Sequence, residues 1–285
     1  MKLREPDIFQ YISKEAKMLT TPSKSKDIGI AVLAFIIALC VMSVCSIARA
    51  DNYAYVTFEG GGLSSVNLDT GAFTQLGISG ETLAGLGMVN STLFATTYNQ
   101  GGLYMVNTSN GGLTSVGGFF DATGGFGSTT SGLYAVGGTT GRLSSIDPGT
   151  GAATDIGSTG VSGTSWFNLS TNSSALYYAV DGYLYTLDVT SGSTTPVGSI
   201  TYNGNTVQIG PMVEEGGRLY GIDSNNSIYT LDTSTGAATY VAAISDGMAA
   251  YGVAPISAPV PLPSALLFFG PGLAGLAAVR RRFGR

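Results

Sequence analysis

The side chains of this 285-residue chain that could do chemistry are carboxylates, amides and phenols, because it contains no histidine. That removes the commonest general base and metal ligand, and with it every Ser-His-Asp or Cys-His nucleophile system. Nor does the chain contain a phosphate-cradling loop, a dinucleotide fingerprint or an EF-hand spacing. What remains is a scattered set of oxygen donors, Glu59, Asn99, Asp121, Asp181, Tyr202 and Asp223, with Gln100, Asn203, Phe119 and Phe120 close by in sequence. Three chemistries are open to such a set. Carboxylates and amides around an axial opening could hold a calcium ion with hard oxygen ligands. The same groups could bind a sugar, helped by Phe119, Phe120 or Tyr202. They could equally be solvated loop residues. The adjacent pair Glu214-Glu215, followed by two glycines, reads as an exposed turn.

Which of these applies depends on the elements that position the residues, and those elements repeat. The segments LSSVNLDTGAFTQLG from Leu63, LYMVNTSNGGLTSVG from Leu103, LSSIDPGTGAATDIG from Leu143, LYTLDVTSGSTTPVG from Leu184 and IYTLDTSTGAATYVA from Ile228 follow one another at spacings of 40, 40, 41 and 44 residues. Each has an Asn or Asp after the apolar run (Asn67, Asn107, Asp147, Asp188, Asp232), a Gly four residues on (Gly71, Gly111, Gly151, Gly192, Gly236) and a Thr three further (Thr74, Thr114, Thr154, Thr195, Thr239). This is hairpin chemistry. The Asx side chain caps the turn, Gly supplies the positive φ, and the β-branched Thr opens the returning strand. Five identical copies favour turn caps over metal ligands, since each hairpin needs a turn and no site needs five.

Two further strand-like runs precede each hairpin, so a unit is four strands in about forty residues, the period of a propeller blade. The end units are complementary. NYAYVTF after Ala50 matches a second strand, and GMAAYGVA (Gly247 to Ala254) matches a first strand. The expected fold is all-β: a five-bladed β-propeller over residues 51–255, with four-stranded antiparallel blades, closed by pairing of its N- and C-terminal strands. A linear solenoid would leave both ends as exposed edges. The segment resembles β-propellers in period and turn chemistry, without the Gly-His…Trp-Asp or kelch signatures.

Both ends carry apolar segments. Ile28 to Ile47 is uncharged, preceded by Lys24 and Lys26 and followed by Ala48-Arg49-Ala50, a small-x-small site. Residues 1–50 read as a signal peptide cut after Ala50 by signal peptidase, with Met18 as an alternative start and an uncleaved signal anchor as the rival reading. Cys40 and Cys45, the only cysteines, fall within it, so a chain starting at Asp51 would have no disulfide and no thiolate. Between Asp51 and Pro259 there are 14 acidic residues against Arg142 and Arg218, which argues against nucleic acid as a partner.

At the other end, residues 256–263 are a Pro-rich linker. Residues 264–285 read as a transmembrane helix with an Arg-rich end, where Arg280, Arg281 and Arg282 hold the terminus on the cytoplasmic side. Pro261-Leu262-Pro263, a short Gly-containing apolar span and the terminal Arg cluster together resemble the PEP-CTERM sorting signal of Gram-negative bacteria, with Pro-Leu-Pro in place of the usual Pro-Glu-Pro. The resemblance covers Val260 to Arg282. It implies recognition by an exosortase, transient anchoring in the inner membrane, and delivery to the cell surface or extracellular matrix in an organism that makes exopolysaccharide.

The expectation is therefore an exported cell-surface or biofilm-matrix protein. Its propeller would be a non-enzymatic binding or structural module for exopolysaccharide or surface proteins, with no cofactor. The alternative is an extracellular sugar-acting hydrolase or lyase with a carboxylate or calcium site. An enzyme would need several of Glu59, Asp121, Asp181 and Asp223 to converge.

Overall fold

The computed structural model describes residues 51–97, 102–118, 121, 125–161, 169–171, 175–245 and 248–256. The expected signal peptide, the sorting motif and C-terminal helix, and Asn99, Gln100, Phe119 and Phe120 lie outside the described residues. Among the described residues all regular structure is β, and no helix is long and apolar enough to cross a membrane.

The strands form five blades. The first holds β1 (Tyr53–Phe58), β2 (Gly62–Asn67) and β3 (Phe73–Ile78); the second β4 (Leu83–Val89), β5 (Thr92–Thr97), β6 (Leu103–Val106) and β7 (Leu113–Gly117). The third holds β8 (Gly125–Ser128), β9 (Leu133–Val136), β10 (Arg142–Ile146) and β11 (Ala153–Ser158). The fourth holds β13 (Leu176–Val180), β14 (Tyr183–Leu187) and β15 (Thr194–Ser199), and β12 (Ser170–Thr171) lies on its inner side, where Leu169 bridges Tyr178 while β12 itself is hydrogen-bonded to the fifth blade's sheet. A short hairpin follows, β16 (Thr201–Tyr202) and β17 (Asn205–Thr206), and then the fifth blade, β18 (Ile209–Glu215), β19 (Arg218–Asp223), β20 (Ser227–Leu231) and β21 (Ala238–Ala243). The last strand, β22 (Ala250–Pro255), returns to the first blade as its innermost strand and pairs antiparallel with β1, Tyr55 opposite Ala254 and Val56 opposite Val253. The chain thus closes on itself as a five-bladed β-propeller, and the complementary half-units of the sequence share one sheet.

The repeat explains itself residue by residue. Its leading apolar residue, Leu63, Leu103, Leu143, Leu184 or Ile228, is fully buried in every copy, each side chain contributing about 1.5–3 kcal/mol of burial. The Asx oxygen caps its turn: Asn67 Oδ1 accepts from the Asp69 and Thr70 amides at 3.0 and 3.1 Å, and Asp147 Oδ1 from Gly149 and Thr150 at 2.7 and 2.9 Å. Asn107, Asp188 and Asp232 do the same. The turn glycine has a positive φ in all five copies, and it is also buried against the outer strand of the neighbouring blade. A Cβ on Gly192 would meet the Gly157 carbonyl carbon at 2.7 Å, and one on Gly71 would meet the Ala243 oxygen at 2.1 Å across the closing joint. One residue type thus serves the turn and the blade-to-blade contact.

The described inner strands touch one another. Thr171 Oγ1, on the innermost strand of the fourth blade, donates to the Val253 carbonyl of the first at 2.9 Å. β12 also pairs in parallel with β18, and a Cβ on Gly127 would lie 2.3 Å from the Ser170 oxygen. These contacts draw the described inner strands together, with glycine at the approach of Gly127 to Ser170. One expectation is corrected. Glu214 and Glu215 are the half-buried end of β18, opposite Leu219 and Arg218, with only Gly216-Gly217 in the turn; burial raises the Glu215 carboxyl above its usual range. Tyr202 and Asn203 lie, as expected, in the connection between two blades, which here carries an added hairpin.

Candidate ligand-binding pocket on the fifth blade

Each blade runs its strands alternately up and down. The turns between second and third strands, and the connections between blades, therefore share one face. The other turns and both ends of the ring share the opposite face. Tyr53 and Ile256 lie side by side on that second face, the Ile256 amide donating to the Tyr53 carbonyl at 3.1 Å.

On the first face, at the fifth blade, there is a depression of about 380 Å³. One wall is the β16–β17 hairpin and the segment after it, with Tyr202, Asn203, Asn205 and Gln208; the other is the turn after β19, with Asp223, Ser224 and Asn225, and Tyr229 behind it. The hairpin forms because Asn203 and Gly204 take φ of 49° and 79°, the two-residue turn that Asn-Gly favours. Tyr202 is thereby held edge-on to Tyr229, ring centroids 5.7 Å apart, with Tyr240 a further 5.8 Å from Tyr229.

The opposite wall is held by Asp223. Its Oδ1 accepts from the Asn225 and Ser227 amides at 2.9 and 2.8 Å. Its Oδ2 has a long contact of 3.4 Å from the Tyr229 hydroxyl. Burial, and next the Asp223 carboxylate, raise the Tyr229 phenol, so it stays a neutral donor. Asn226, buried and at φ 60°, ties this turn to the closing strand: its Oδ1 accepts from the Ala250 amide at 3.1 Å.

Of the six residues singled out in sequence, the structure brings Tyr202 and Asp223 together in this pocket. Asp181 is exposed in the two-residue turn of the fourth blade, next to Gly182, where a Cβ would touch Thr206 at 2.2 Å and Gln208 at 3.4 Å. It borders the same hairpin, and beneath it the buried Tyr178 phenol is pushed up to about 12 by burial and then by the Asp181 charge. Glu59 and Asp121 are exposed on the first and third blades, and Asn99 lies outside the described residues. Among the described residues no three acidic side chains come together as a metal site requires.

Gln208, Asn205 and Asn225 were missed. Two signals point to them: Asn203-Gly204 between TY and NT is a strong hairpin mark, and the last repeat spacing is 44 rather than 40 residues, which announces an insertion at this blade.

No family model matches the chain, and no curated protein does. Among solved structures it resembles a chain of the nidogen/laminin complex, at 11% identity and a TM-score of 0.49, over 71% of this chain and 97% of that one. It also resembles the glutaminyl cyclase of Myxococcus xanthus, at 19% identity and a TM-score of 0.46, over 64% of this chain and 73% of that one. Neither likeness bears on what this chain binds.

Proposed function

We propose that the chain is an exported, exosortase-sorted cell-surface or biofilm-matrix protein whose propeller is a non-enzymatic binding module. The observation that carries this reading is the placement of the ring's two ends. Both leave the same face, next to each other at Tyr53 and Ile256, while the fifth-blade pocket opens on the opposite face. A ring held by the segment that continues from Ile256 would stand with that face toward the membrane and present its pocket outward. The 14-to-2 excess of acidic over basic residues between Asp51 and Pro259 disfavours nucleic acid as a partner. The Pro261-Leu262-Pro263 motif and Arg280 to Arg282 supply the address.

The test is processing in a host with an exosortase. Mass spectrometry of surface protein should find an N-terminus at Asp51, after the Ala48-Arg49-Ala50 site, and a C-terminus between Pro261 and Ser264. Replacing Arg280, Arg281 and Arg282 with Ser should weaken retention in the inner membrane. Full-length protein with an intact C-terminus at the cell surface would make the tail a plain anchor and end the sorting reading.

A further inference from the structure

We infer that the fifth-blade pocket is a subsite for a neutral saccharide unit, an inference that rests on the binding-module reading and names its ligand. A volume of about 380 Å³ lies at the low end of the range usual for small-molecule sites, about 300–1,000 Å³, and suits one or two sugar rings better than a folded partner. The lining has the chemistry of hydroxyl recognition. Asn205, Gln208 and Asn225 each bring a donor pair and an acceptor on one planar group, which matches adjacent sugar hydroxyls. Tyr202 is half-buried and keeps ring surface available for the C–H face of a pyranose.

The acceptor for a ligand hydroxyl is Asp223. Two backbone amides occupy its Oδ1, while among the described residues Oδ2 takes only the long Tyr229 contact and retains capacity. One oxygen thus builds the wall and the other serves the pocket. The sign of the charge selects the sugar. Among the described residues no cation lines the pocket, and Asp181 flanks its hairpin. A uronate or sulfated sugar would bring a second negative charge to the Asp223 carboxylate, whereas a neutral polyol donates to it. Both walls are also set before binding. The Asn203-Gly204 turn fixes one, and the Asp223 cap with the Asn226 tie to Ala250 fixes the other, so the protein loses little freedom on binding.

The experiment titrates the full chain, kept in a zwitterionic detergent so that no sugar head group competes, with cellotetraose, laminaritetraose, maltotetraose and, as the acidic comparison, tetragalacturonate. Binding is read by calorimetry and the supernatant is scanned for cleavage products. At least one neutral tetrasaccharide should bind, and tetragalacturonate should not. Asp223→Asn keeps an oxygen for the Asn225 and Ser227 amides but turns the second oxygen into a donor. It should weaken binding about tenfold or more with little change in Tm. Tyr202→Ala should do likewise, and Tyr202→Phe should bind as the parent does. The inference is overturned if no neutral sugar binds, if tetragalacturonate binds better, or if Asp223→Asn and Tyr202→Ala leave affinity unchanged. That last result would place a sugar elsewhere on the protein and leave the binding-module reading standing. Cleavage products that vanish with Asp223→Asn would support the site as placed here while ending the non-enzymatic reading.

Discussion

The Thr171 hydroxyl donates to the Val253 carbonyl at 2.9 Å across the centre of the ring, joining the fourth blade to the strand that closes the first. Thr171 is buried, and its oxygen also approaches the Met212 carbonyl at 3.4 Å. This hydrogen bond between two inner strands, β12 and β22, can form only when they are drawn close together. It couples the last strand made to one made much earlier.

Thr171→Val keeps the shape and removes the donor. It should lower stability by about 1 kcal/mol, the usual net worth of one hydrogen bond, while Thr171→Ser should retain most of the parent stability. Thermal unfolding of both variants followed by circular dichroism decides it. Equal Tm values for valine and parent would show that the contact contributes nothing.

The blade-to-blade joints are tight enough to be tested by a single methyl group. Gly157 needs no unusual backbone, but a Cβ there would lie 2.0 Å from the Ser191 oxygen. Gly157→Ala should therefore cost about 1–3 kcal/mol, as overpacking does. Gly62, also in a strand, has nothing within 4 Å of its Cβ position; Gly62→Ala should stay within about 0.5 kcal/mol of the parent. Denaturant titrations of the pair separate steric closure from strand propensity. A similar cost at both positions would refute the joint as the cause.

The turn caps predict an acid response with a defined sign. Backbone amides of Gly149 and Thr150 lower the Asp147 carboxyl, and hydrogen bonds from Thr190 and Ser234 lower Asp188 and Asp232. A carboxyl lowered in the folded state adds stability above its unfolded value of about 3.9. That contribution is lost as pH falls through the lower folded value. Tm should thus hold down to about pH 4 and fall below it. Asn67 and Asn107 fill the same turns without charge, so the triple variant Asp147→Asn, Asp188→Asn, Asp232→Asn should lose less Tm between neutral pH and acid than the parent. Parallel Tm curves for the two proteins would show that the caps do not set the acid limit.

The number of blades, their hairpins and the closing strand were legible in the chain because they depend on local spacing. An Asx oxygen caps amides two and three residues away, a glycine turns the chain four residues on, and both act within one turn. The half-units at Tyr53 and Ala250 announced closure because an unpaired edge is costly. The pocket was legible only in part. Tyr202 and Asp223 stood out by type, yet nothing in their spacing says that an added hairpin sets the ring of one across from the carboxylate of the other. Nor does the sequence say that Asp223 uses one oxygen for its own turn, that Glu215 ends in a strand, or that Thr171 reaches Val253. These depend on how far each blade is rotated against the next and on how closely the inner strands approach. Such distances are set by packing between segments far apart in the chain, and only the folded ring determines them.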